Sequence, residues 1–161
     1  MTALGAPRRS LRRWLQSTSN RTFVVWPIVV TAVEAALNRG WFAVEPWAAV
    51  LLVWGYLQYR LVGRYRLREG GGGPGLSVPP ERLVTHGPYR YVRNPMYLGH
   101  LIFFAGVALT LRSWVGAMLF IVHVFWFHRR ALQDETRLRE LFGAAYADYA
   151  ARVKRWMPGI V

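Results

Sequence analysis

Four apolar stretches alternate along the chain with segments crowded by arginine. The first runs from about Thr22 to Asn38, the second from about Trp41 to Val62, the third from about Met96 to Leu111 and the fourth from about Ser113 to Phe127. A helix that crosses a bilayer needs roughly 20 apolar residues. The first two stretches qualify. The last two are shorter, joined by the tight Leu111-Arg112-Ser113 turn, and would fit by thinning the bilayer locally. Ile102 to Leu111 and Val115 to Phe127 show almost no polar face, which argues against a soluble helical hairpin. After them, Leu132, Leu138, Leu141, Phe142, Tyr146 and Tyr149 recur at helical spacing with charges between them, the pattern of an amphipathic helix on a membrane face. Pro158 marks its end. The expected fold is all-α and integral to the membrane, with about four transmembrane helices in two hairpins plus a C-terminal cytosolic amphipathic helix. As one domain over 1–161 it divides into a basic lead-in (1–21), a first hairpin (22–62), a cytosolic loop (63–95), a second hairpin (96–128) and the C-terminal helix (129–161).

Composition sharpens this picture. The chain is 53% hydrophobic yet carries a formal charge of +13. That pairing fits either a nucleic-acid binder with a large core or a membrane protein with basic ends. The placement of charge decides between them. Of the 21 Lys and Arg, five lie before Thr22, seven between Arg60 and Arg93, and seven from Arg129 onward, while Arg39 and Arg112 stand alone in the two remaining turns. Positive charge gathers on the cytosolic side of membrane proteins, so both termini and the middle loop are expected there. Topology thus accounts for the charge without nucleic acid. Trp14, Trp26, Trp41, Trp47, Trp114 and Trp156 sit at segment edges, as interfacial tryptophans do. The absence of Cys excludes disulfides, thiolate metal sites and Cys nucleophiles. No small-residue cleavage site follows an apolar core near the start, so residues 1–20 read as a mature cytosolic lead-in and not as a signal peptide.

Candidate chemistry lies outside the apolar runs. The glycine run Glu69-Gly70-Gly71-Gly72-Gly73-Pro74-Gly75 lacks the Lys-Ser/Thr pair and following helix of a phosphate loop, and reads as a flexible linker. The stretch from Glu81 to Tyr97 contains Arg82, Arg90 and Arg93, three tyrosines, and the turn-forming pairs Gly87-Pro88 and Asn94-Pro95. Pro95 suits the first turn of the third helix, whose free N–H groups would face a ligand. Tyr and Met side chains there can pack an adenine ring or a sulfonium group. A basic interfacial anchor for anionic lipid fits the same residues. A second cluster is Arg129-Arg130-Ala131-Leu132-Gln133-Asp134-Glu135. Arg130 and Asp134 share a helix face, either as a surface ion pair or as an Arg beside an anionic substrate and a carboxylate beside a bound cation. His100, His123 and His128 are spaced poorly for shared metal ligation, so interhelical hydrogen bonding is expected of them and no metal site is assigned. Glu34 and Glu45 are expected to snorkel or to pair with Arg39.

These two clusters resemble the isoprenylcysteine carboxyl methyltransferase family and its phospholipid N-methyltransferase relatives. The shared landmarks are Leu83-Val84, Gly87-Pro88-Tyr89, Arg93-Asn94-Pro95-Met96-Tyr97, Asp134-Glu135, Phe142-Gly143, Tyr146, Tyr149 and Pro158, covering about residues 81–158. The resemblance implies a membrane methyltransferase that uses S-adenosyl-L-methionine. It implies cofactor contacts at Glu81, Arg82, Leu83, Val84, Tyr89, Asn94, Pro95, Met96, Tyr97, Asp134 and Glu135, a substrate-contacting Arg130, and catalytic roles for Arg130 and Glu135. Asn94 stands where the family has His, so it can donate and accept but cannot titrate. Asp134 replaces the commoner Glu. Methyl transfer from a sulfonium depends on alignment, and a carboxylate acceptor needs no base. The implied acceptor is a lipid-like or small amphiphile, with O-methylation of a carboxylate favoured over N- or S-methylation. The pared-down N-terminal half resembles a prokaryotic, plasma-membrane version. The C-terminal pattern also resembles membrane sterol reductases, which use NADPH, and a non-catalytic protein binding anionic lipid is the third alternative.

Overall fold

The computed structural model describes residues 11–40, 43–73 and 78–156. Residues 1–10 of the lead-in, Trp41, Pro74-Gly75 and Pro158 therefore lie outside the described residues. The described residues form five helices: α1 (Leu11–Gln16), α2 (Thr18–Leu37, with a π-helical turn at Arg21–Val25), α3 (Ala49–Gly70), α4 (Pro95–Thr110) and α5 (Trp114–Arg152). Short 3₁₀ turns cover Pro46–Ala48 and Gly87–Arg90. The described residues contain no strand, only an isolated parallel bridge between Val92 and Lys154.

Two helices, α2 and α5, are long and apolar enough to cross a membrane by length and composition, and α4 is a shorter apolar helix of 16 residues. The helix α3 differs from its expected boundary. It continues eight residues beyond Val62 through Arg64, Arg66 and Arg68, because arginine is a good helix former and nothing in this run breaks the backbone. Those charges keep α3 below a spanning hydropathy. Before Val62 it nevertheless exposes Val50, Val53, Trp54, Leu57 and Leu61, a stripe at helical spacing. The helices α2 and α5 expose similar residues, including Ile28, Val29, Trp114, Met118, Val122 and Phe125. Apolar faces of that extent suit lipid contact and not water.

The C-terminal helix also departs from expectation. It does not begin after Phe127, because α5 runs unbroken from the apolar stretch into the charged one. The interruption comes at Gly143, where φ is 51° and ψ −124°. An L side chain avoids that conformation, and glycine reaches it without strain. The final turns are thereby redirected, and Tyr146 and Tyr149 join Val62, Val84 and Tyr89 in a buried cluster.

The scaffold rests on α3 against α4. A Cβ on Gly99 would lie 2.9 Å from both the Gly55 carbonyl oxygen and the Tyr59 nitrogen, so only glycine permits this approach. At the opposite end of the molecule Ser113 caps α5 by accepting from the Gly116 N–H at 2.8 Å and donates its hydroxyl to Glu34. Glu34 also accepts from Asn38 at 3.0 Å, and Glu45 pairs with Arg112 at 3.4 Å. The acids thus take partners other than Arg39. His100 and His123 correct a second expectation, since each ring bonds its own helix, at the carbonyls of Met96 and Leu119, and among the described residues meets other helices through ring contacts.

Candidate functional site

The described residues between Gly70 and Pro95 fold back over the end of α3. The N–H groups of Glu81 and Arg82 both donate to the Gly70 carbonyl, at 2.8 and 3.1 Å. The glycine run is therefore a tight return at its described flanks, with Gly71 and Gly72 at positive φ, where a flexible linker was expected. Gly87, also at positive φ, lets the Gly87–Arg90 turn lie directly on the Tyr65 ring, where a Cβ would come within 2.5 Å. This turn carries Tyr89 into the buried cluster. Burial holds the Tyr89 phenol neutral by pushing its pKa well above the ordinary value. Its backbone carbonyl accepts from the Tyr149 hydroxyl at 2.7 Å, locking the loop to the last turns of α5.

Between loop and helix lies a cavity of about 60 Å³, lined by Arg66, Pro80, Arg82, Leu83, Val84, Tyr89, Arg93, Asn94, Glu135, Leu138, Tyr146 and Tyr149. Its polar centre is Glu135, only 3% exposed. One carboxylate oxygen accepts from Arg155 Nε at 2.7 Å and faces Asn94 Nδ2 at 3.4 Å. The other accepts from Arg155 Nη2 at 3.0 Å and lies 3.4 Å from Arg93 Nη1. Among the described residues, the buried Nε of Arg93 has no hydrogen-bond partner. A buried donor left unmade is costly, which makes it a ready receiver for an acceptor atom entering the cavity. The Arg155 guanidinium is held still more firmly in its charged form by the bonds to Glu135.

Six of the sequence-derived site residues meet around this cavity: Arg82, Leu83, Val84, Tyr89, Asn94 and Glu135. Others do not reach it. Pro95 is buried, with its carbonyl bonded to Gln58, and Met96 packs into the cluster against α3. Both act as anchors of α4. Glu81 lies against Gly71 at the exposed rim. Tyr97 donates to Asp134 and stacks near Phe127, with ring centroids 5.2 Å apart. Arg130 lies 3.9 Å from Asp134, and the two line a separate, shallow cavity with Gln133, Thr136 and Arg137. Arg130 and Glu135 thus lie in different cavities, because residues five apart on a helix point away from each other. Tyr97 links the two, standing one turn from Asn94 on α4 and bonded to Asp134 on α5. Sequence reasoning left Arg93 without a role and missed Arg155. No local pattern marks Arg155; its place is set by long-range contacts of its neighbours, such as the Arg93 N–H bonded to the Lys154 carbonyl at 2.9 Å.

A sequence profile described as phospholipid methyltransferase matches residues 44–145. Among curated proteins, the protein-S-isoprenylcysteine O-methyltransferase A of Arabidopsis thaliana is 40% identical over 77 residues, 47% of this chain and 39% of the relative. The protein of that name, without the letter, in Schizosaccharomyces pombe is 37% identical over 78 residues, 47% of this chain and 33% of its own length. That of Mus musculus is 33% identical over 79 residues, 48% and 28%. The chain spans between about a quarter and two fifths of the length of these relatives.

Proposed function

This chain belongs to the phospholipid methyltransferase family, and from that premise we propose that it is an integral membrane enzyme transferring a methyl group from S-adenosylmethionine to an amphiphilic acceptor. O-methylation of a carboxylate is the favoured reaction. The observation that carries the reading is the cavity around Glu135. A buried carboxylate, an unpartnered Arg93 Nε and a wall of Leu83, Val84, Tyr89, Leu138 and Tyr146 suit a ligand that is cationic and anionic at one end and aromatic at the other. That donor set fits the aminoacyl and adenine ends of S-adenosylmethionine. Glu135 would hold the ammonium, Arg93 the carboxylate, and the apolar wall the adenine ring. When bound, this group supplies an electrophilic methyl on a cationic sulfur. The chain's own contribution is alignment and the exclusion of water, since such displacements need orientation above all. Asn94 points its amide at Glu135 and cannot serve as a base, which is consistent with a carboxylate acceptor. Arg130, 44% exposed at its side chain, would meet the acceptor's acidic group as it arrives from the bilayer.

The same reading includes the four-segment topology, with both termini and the Glu81–Tyr97 loop on the cytosolic side. The exposed apolar stripes of α2, α3 and α5 and the distribution of arginine support it.

Equilibrium binding of S-adenosylmethionine and of NADPH to detergent-purified protein tests the proposal, with labelled methyl transfer into a lipid extract and a panel of carboxylate and amine amphiphiles. Saturable binding of S-adenosylmethionine is expected. Glu135→Gln should weaken it by about tenfold or more, the effect of losing one charged hydrogen-bonding partner. Binding of NADPH alone, or an affinity indifferent to Glu135→Gln, would overturn the assignment.

A further inference from the structure

Arg155 engages both carboxylate oxygens of Glu135 in a fork, at 2.7 and 3.0 Å. This geometry leaves the cavity about 60 Å³, space for a handful of waters and not for a nucleoside. A ligand that binds Glu135 must therefore displace something. The two arginines around the carboxylate are held differently. Arg93 lies in the turn leading into α4, its side chain only 10% exposed. Arg155 lies on the segment following α5, its side chain 20% exposed. That segment is fixed by the Arg93 N–H to Lys154 carbonyl bond and by Trp156 Nε1 donating to His128 Nδ1 at 3.2 Å. Releasing Arg155 to water costs its two bonds to Glu135 and the few that hold its segment, whereas releasing Arg93 would dislodge the start of a helix.

We propose that Arg155 is a resident stand-in for the ligand's cation, occupying Glu135 in the empty site and exchanging with a ligand ammonium as the tail moves off the cavity. The inference rests on the proposed S-adenosylmethionine reading and deepens it into a rule of selectivity. With Arg155 gone, the buried carboxylate would keep only the longer 3.4 Å pairing with Arg93, and losing the closer cation is strongly unfavourable. The exchange therefore proceeds charge for charge, and a ligand without a cationic group cannot open the site. S-adenosylhomocysteine, which keeps the ammonium, should open it. Methylthioadenosine, which lacks the aminoacyl end, should not.

Two measurements test this. Hydrogen exchange at the Arg93 amide reports the tail, because that N–H bonds Lys154. Protection should fall when S-adenosylmethionine or S-adenosylhomocysteine binds and stay unchanged with methylthioadenosine. Equilibrium binding is the second. Arg155→Gln removes the competitor and should tighten S-adenosylmethionine about tenfold, and the gain should vanish in the Glu135→Gln background. Arg155→Lys, which keeps the charge but loses the fork, should fall between and carries the test if Arg155→Gln does not fold. Weaker or unchanged binding in both variants, with wild-type protein binding normally, overturns the stand-in role alone. Failure of wild-type protein to bind S-adenosylmethionine overturns the functional reading and this inference with it.

Discussion

At the scale of single residues, the site depends on a few contacts that join distant parts of the chain. The Tyr149 hydroxyl, donated to the Tyr89 carbonyl, fastens the loop to the end of α5. Tyr149→Phe keeps the ring and deletes that bond, so a loss of about 1 kcal/mol of stability is expected. Thermal unfolding in detergent measures it. Gly143 is under a different constraint. A Cβ there meets nothing within 4 Å, yet φ is 51°. Gly143→Ala should therefore cost roughly 1–2 kcal/mol through backbone conformation alone, and should weaken cofactor binding by shifting Tyr146 and Tyr149. Glu135 and Asn94 were legible because they fall within short motifs. Arg155 was not, since its role arises from a pairing with residues far earlier in the chain.

At the scale of elements, hydrophobic runs located α2 and α4 closely but misplaced the limits of α3 and α5. The reason is physical. An apolar run ends where lipid or core contact ends, whereas a helix ends where its backbone is broken. Arginine does not break it, so α3 continues to Gly70 and α5 to Arg152, interrupted only at Gly143. The α3–α4 crossing was invisible in the hydrophobic pattern because it is built from glycine. Gly99→Ala would drive a methyl into the Gly55 carbonyl and the Tyr59 backbone. A loss of about 1–3 kcal/mol is expected from such overpacking, together with weaker S-adenosylmethionine binding as α4 carries Asn94 away from Glu135. Chemical denaturation and binding titration measure the two effects. A full-affinity Gly99→Ala protein would show that the crossing does not position the site.

At the scale of the whole molecule, the arrangement in the bilayer is open to a direct test, because the chain contains no cysteine. Single cysteines at Arg112 and Thr136, both exposed, should report opposite sides. Arg112→Cys is expected to react with an impermeant maleimide in intact cells, and Thr136→Cys only after permeabilisation. The reverse pattern would invert the topology drawn from the arginine distribution. The class of the molecule, helical with exposed apolar faces, was readable from sequence because it depends on composition and spacing. The division of the polar residues between two cavities was not, because it depends on the rotation of α5.

The parallel bridge between Val92 and Lys154 has a consequence for how the protein is made. Contacts between sequence-distant segments form late, after the entropy of closing the intervening loop has been met. Ribosomes deliver Arg93 and Asn94 long before Lys154 and Arg155 exist. While the intervening residues are made, the half-built pocket lacks first Glu135 and then Arg155. Completion of the site is thus a late step, set by the emergence of residues 153–156 after the helices that frame the cavity.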